Sequence, residues 1–230
     1  MGLLERDYAR KGYESRRSKN DSEIITQVKE TYKLFGASLL AGSIGSYLAM
    51  PYAATISEYL LPFVLLQLAV LFALFLLKNT PGLNITMLFL FTLLTGVSSV
   101  PILSTVLSIE GGISIIGNSF LMTSLIMGIM SYTAIKTTKD FTNMTKPLLI
   151  ALVVIIVFSL INIFFLQSSV FSMIISGVST FLFSIFILID TQNIIKGNYT
   201  PIEGAINLYL DFLNIFLNLL NLFVGFSRED

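Results

Sequence analysis

Apolar residues run along this chain in blocks of about 20, the length an α-helix needs to cross the roughly 30 Å hydrocarbon core of a bilayer. The pattern predicts seven such helices. Residues 34–50 form the first, extended backwards to Thr31 and Tyr32 and stopped by Pro51. Residues 59–77 form the second, ended by Lys78, Asn79 and Pro81. The third, 83–107, carries Pro101, which should kink its far end. The fourth is 113–135. The stretch 147–189 has no charge and is long enough for two helices, with Gln167-Ser168-Ser169 as the turn between them. The seventh, 205–226, is interrupted by Asp211 and reads as a full crossing or as a re-entrant helix.

Composition turns this pattern into a class. Of 230 residues, 54% are hydrophobic and 12% charged; soluble domains carry about 25% charged residues. Half of the 28 charged residues lie in residues 1–33. The expectation is an all-α polytopic membrane protein, a seven-helix bundle over 34–226, with a charged arm at 1–33 and a short tail at 227–230. Charges fill the arm before any apolar run begins, so it does not read as a cleavable signal peptide. With no Cys and no His, thiolate chemistry, zinc ribbons and imidazole switches are absent. The net charge of zero disfavours nucleic acid as a partner.

Orientation follows from the basic residues in the loops. Eight Lys and Arg precede the first span, Lys78 follows the second, Lys136, Lys139 and Lys146 follow the fourth, and Lys196 follows the sixth. The intervening loops at 51–58, 105–112 and 167–169 have none. The alternation predicts a cytoplasmic N-terminus in the inner cell membrane. A full seventh crossing would put the tail outside, against which Arg228 argues weakly.

Small residues recur every four positions, at Ala37, Ala41, Gly45 and Ala49 in the first span and at Ser172, Ser176, Thr180 and Ser184 in the sixth. Such stripes let helices approach closely in lipid and imply packing. No internal repeat supports an inverted-repeat transporter.

Ionisable residues inside spans are costly and mark function. Glu58 and Glu110 fall in outer turns and read as solvated loop charges. Asp211 lies about 12 Å beyond Glu203 at 1.5 Å per residue. Asn207, Asp211, Asn214, Asn218 and Asn221 share one helical face. That polar stripe cannot face lipid, so the seventh helix should be central. The asparagines alone would suit an interhelical hydrogen-bond seam equally well; the carboxylate favours function. Asp190 ends the sixth span and Lys78 the second, both on the face where the seventh helix begins. Two close carboxylates cannot both ionise cheaply in a low dielectric, so such a pair exchanges a proton for the second charge. Doubly ionised, it is a hard oxygen site suited to Ca²⁺. Lys78, within reach, would pair with one of them and compete with the cation. This is a proton-controlled cation site without histidine.

The run Ile187-Leu188-Ile189-Asp190-Thr191-Gln192, a short basic loop, and then Ile206-Asn207-Leu208-Tyr209-Leu210-Asp211-Phe212-Leu213-Asn214 resembles the Bax inhibitor-1 family, the transmembrane Bax inhibitor motif proteins. The likeness extends from Thr31 to Val224 and is densest in the last forty residues. It implies a seven-helix bundle around a central last helix and a pH-dependent Ca²⁺ leak, with Asp190 and Asp211 as the paired aspartates that sense protons and meet the ion. It also implies a latch to the sixth-helix aspartate, for which Lys78 is the matching residue; Lys in place of Arg lacks the bidentate fork. A second-helix Glu of one bacterial member is matched by Gln67. The resemblance suggests no tightly bound cofactor.

Three functions follow as expectations. The first is a proton-regulated Ca²⁺ or cation leak with a polar path along Asn207, Asn214 and Asn218. The second is a regulator of other membrane proteins, such as a membrane-anchored AAA protease, with the charged arm as docking element. The third, an intramembrane aspartyl protease, is disfavoured, because that chemistry needs a Gly-x-Gly setting and Leu208-Tyr209-Leu210 precede Asp211.

Overall fold

The computed structural model describes residues 3–227, with side chains from residue 22 onward. Among the described residues every regular element is helical. The α-helices are α1 (Leu3–Ala49), α2 (Ala53–Glu58), α3 (Leu60–Leu77), α4 (Leu83–Ser98), α5 (Val100–Leu107), α6 (Gly112–Lys136), α7 (Thr145–Ile161), α8 (Ser169–Ile195) and α9 (Pro201–Phe226). They make seven segments long and apolar enough to cross a membrane, with α4 and α5 forming one of them. Leu61, Leu65, Leu68, Phe72 and Leu76 of α3 stand exposed on the outside of the bundle. A surface of that kind is stable only in lipid.

The breaks follow the sequence. Pro101 sits in the first turn of α5, where its missing N–H costs nothing. The kink therefore appears as a joint at Ser99, two residues before the proline, and Ser99 Oγ donates to Thr95 O at 2.7 Å across it. The long uncharged stretch turns where Gln167-Ser168-Ser169 predicts. A widened turn at Asn162–Leu166 ends α7, and Gln167 takes a left-handed φ of 48°. The Asn162 side chain clasps Ser168 through both its backbone groups, at 3.2 and 3.1 Å.

Helix α9 runs 26 residues without a break, about 39 Å at 1.5 Å per residue, so it is long enough for a full crossing and lacks the break of a re-entrant helix. It packs against α8, α1, α6 and α4, and Ala205, Leu208, Ile215 and Leu220 are fully enclosed. The last helix is central.

The small-residue face of α1 differs from the expected stripe. Its buried positions are Ser38, Gly42, Gly45 and Ala49, while Ala37 and Ala41 are only half-buried. A strict four-residue stripe winds around a helix of 3.6 residues per turn, so a straight contact must alternate steps of four and three. This face meets α4 backbone to backbone. A Cβ on Gly96 would overlap the Gly42 carbonyl, and one on Gly45 would overlap that of Leu93.

Candidate functional site: a buried aspartate pair

The last two turns of α8 bring polar residues inside the protein. Asp190, Thr191, Gln192 and Asn193 are all buried between apolar Ile187–Ile189 and Ile194. The chain then reverses at Gly197, whose φ of 71° suits glycine, and enters α9 through a reciprocal cap. Thr200 Oγ1 accepts from Glu203 N at 3.3 Å, and Glu203 Oε2 accepts from Thr200 N at 2.9 Å. Fixing both ends of this short loop sets the register of α9 against α8, and Asp211 comes to Asp190.

The two aspartates face one and the same cavity. Both are almost fully enclosed, at 6% and 5% exposure. Their surroundings differ. Asp190 Oδ1 accepts from the Tyr199 hydroxyl at 3.3 Å. Asp211 Oδ2 is buried and receives no hydrogen bond. Both line a cavity of about 540 Å³ between α7, α8 and α9, together with Asn207, Asn214, Asn218 and Tyr199. The remaining wall is mostly apolar, from Leu149 and Leu152 of α7 to Phe183 and Phe186 of α8.

The asparagine stripe divides. Asn214 and Asn218 donate to Leu210 O and Asn214 O at 2.7 and 2.8 Å, so each is satisfied on its donor side by its own helix while lining the cavity. Asn221 instead donates to Ser172 Oγ at 2.9 Å and Ser176 Oγ at 2.8 Å. The far end of the stripe is thus an interhelical seam with the small residues of α8, and the near end lines the cavity.

Lys78 requires a correction. Its expected partner was Asp190, but Lys78 Nζ bonds Glu203 Oε1 at 2.6 Å. The capping loop places Glu203 at the first turn of α9, toward the end of α3. Asp190 is enclosed deeper, beneath Tyr199. Gln67 accepts from Ser98 Oγ at 2.7 Å, tying α3 to α4 rather than joining the aspartates. Glu58 and Glu110 are exposed, as loop charges should be.

A second polar cluster holds the loop between α6 and α7 against the end of α8. Gln192 accepts from Phe141 N and donates to Lys139 O, both at 2.8 Å. Beside it Lys196 Nζ bonds Asp140 Oδ1 at 2.6 Å. This bond, with those from Thr142, holds the Asp140 carboxyl well below its ordinary range.

Sequence reasoning missed Glu203, Tyr199 and Gln192. For Glu203 a signal existed: Thr200-Pro201-Ile202-Glu203 is a capping-box pattern before an apolar run. Tyr199 had none, and for Gln192 the Asp190-Thr191-Gln192 run showed the residue but not its role, since both depend on where a loop folds back.

Comparison with known proteins bears on the whole chain. The model of the family described as inhibitor of apoptosis-promoting Bax1 matches residues 25–229. An uncharacterised protein of Helicobacter pylori is 44% identical over 214 residues, 93% of this chain and 92% of its own. An uncharacterised protein of Campylobacter jejuni is 45% identical over 219 residues, covering 93% of each. Protein LIFEGUARD 1 of Arabidopsis thaliana is 32% identical over 154 residues, 65% of this chain and 64% of its own.

Proposed function

This chain belongs to the Bax inhibitor-1 family, and we propose that it is a proton-controlled leak for Ca²⁺, worked by Asp190 and Asp211. The observation that carries the reading is Asp211 Oδ2, a buried carboxylate oxygen without a hydrogen-bond donor, in a cavity lined also by Asp190 and by Asn207, Asn214 and Asn218. Burial of such an oxygen is costly unless a proton or a cation meets it. The two compete for the same atoms, so occupancy by the ion falls as protons fill the pair. Among the described residues no third carboxylate joins the aspartates. Ca²⁺ favours six to eight oxygens, which the amide oxygens of Asn207, Asn214 and Asn218 and water would have to complete. A donor set with only two charges suits passage better than storage.

The basic loops support a cytoplasmic N-terminus in the inner cell membrane, with the aspartate pair nearer the cytoplasmic face. Cysteines introduced near Lys139 and near Glu110 should then label from opposite sides. The function itself is tested by Ca²⁺ flux into liposomes across the neutral pH range. The wild-type rate should depend on pH, and Asp211→Asn should flatten that dependence. An unchanged profile in Asp211→Asn would overturn the reading.

A further inference from the structure

We infer that Tyr199 is the gate between the aspartate pair and water on the loop side, and that α1 holds it shut. The loop after α8 brings the half-buried Tyr199 back over Asp190, while Lys196, Gly197 and Asn198 beside it are exposed. Its hydroxyl donates to Asp190 Oδ1 and accepts from Asn193 Nδ2, each at 3.3 Å. Asn193 is held in turn by Asn198, whose Nδ2 donates to Asn193 Oδ1 at 2.9 Å. The phenol therefore reaches from a half-exposed loop position to a buried carboxylate and lines the same cavity, fixed at its tip by two buried side chains.

The backbone of the same residue is held from another helix. Gln27 Nε2, on α1 just ahead of the membrane segment, donates to Tyr199 O. A Cβ added at Gly197 would come within 3.8 Å of Gln27 and 3.9 Å of Ile24, so the loop runs close along α1. A shift of α1 at this level would pull on the backbone that carries the ring. Burial and the adjacent Asp190 push the phenol's ionisation up. The hydroxyl thus remains a neutral donor throughout the range in which carboxyl groups titrate.

This deepens the leak reading and rests on it for its physiological meaning, but accessibility can be read without flux. The chain has no cysteine, so a single thiol reports one position. Asn207→Cys places it in the cavity wall, in the full chain in lipid nanodiscs, and a charged, water-borne methanethiosulfonate measures access. Tyr199→Ala should speed its modification at least about tenfold. Tyr199→Phe keeps the ring and loses the hydrogen bond, and should speed it about fivefold, the factor one such bond supplies. Gln27→Ala, remote from the aspartates, should also speed it. A thiol at Ser46→Cys, in a separate cavity on the α1 side of α9, should be indifferent to all three. An unchanged rate at Asn207→Cys in Tyr199→Ala overturns the gate. An equal rise at Ser46→Cys does so too, because it would mean general loosening. An unchanged rate in Gln27→Ala refutes the hold by α1. If labelling responds as expected but the wild-type chain shows no pH-dependent Ca²⁺ flux, the gate stands and the leak reading fails.

Discussion

The two ends of the polar stripe on α9 carry polar residues at the same helical spacing, yet they are finished differently. At the far end Asn221 bridges Ser172 and Ser176. At the near end Asp211 leaves an oxygen without a donor. A pattern of polar positions tells which side of a helix avoids lipid. It does not tell whether the groups there are satisfied, and that second property separates a seam from a site.

The contrast can be broken first at Asp211. Asp211→Asn replaces an unsupported carboxylate by a neutral amide and should stabilise the protein in detergent by about 2–3 kcal/mol. Thermal unfolding measures this; a loss of stability would mean the carboxylate is well supported after all. Asn221→Ala should do the opposite, costing about 1–2 kcal/mol for two hydrogen bonds to serine while leaving any Ca²⁺ flux unaltered. If both substitutions shift the melting temperature in the same direction, the distinction between the two ends collapses.

Smaller effects sharpen the picture around the near end. In a double-mutant cycle, Lys78→Ala and Glu203→Gln should couple by about 1 kcal/mol or less, given how exposed the lysine is. Lys78→Ala and Asp190→Asn should be additive. Coupling to Asp190 instead would restore the latch expected from the sequence. The smallest effect belongs to Asp140. Its carboxyl is held below its ordinary value by Lys196 and Thr142. Its contribution is therefore complete above the unfolded-state pKa and is lost as pH falls through the lowered folded value. The melting difference between wild type and Asp140→Asn should stay constant around neutrality and close only in strong acid.

The spans were legible because lipid demands runs of apolar residues, and the aspartates because lipid penalises charge. Even the turn at Gln167 could be placed, since it holds the only polar cluster in a long apolar stretch. Three features arise only in the folded arrangement. The buried face of α1 follows Gly42 instead of Ala41, because helix geometry shifts the contact line. Lys78 has Glu203 within reach, because a capped loop fixes the first turn of α9. Tyr199 meets Asp190 only because Gly197 reverses the chain. Each depends on where two segments meet in space, which spacing along one segment does not encode.

The glycine contact between α1 and α4 has a mechanical consequence. With Gly42 set against Gly96, no side chain lies between the two backbones to tilt or repack. The pair is a stiff joint, and it forms one flank of the central helix. The opposite flank is built otherwise: α7 meets the bundle chiefly through α8 and supplies much of the cavity's apolar wall. The two flanks therefore differ in stiffness: backbone meets backbone between α1 and α4, whereas side chains alone join α7 to its neighbour, and side chains can repack where backbones cannot.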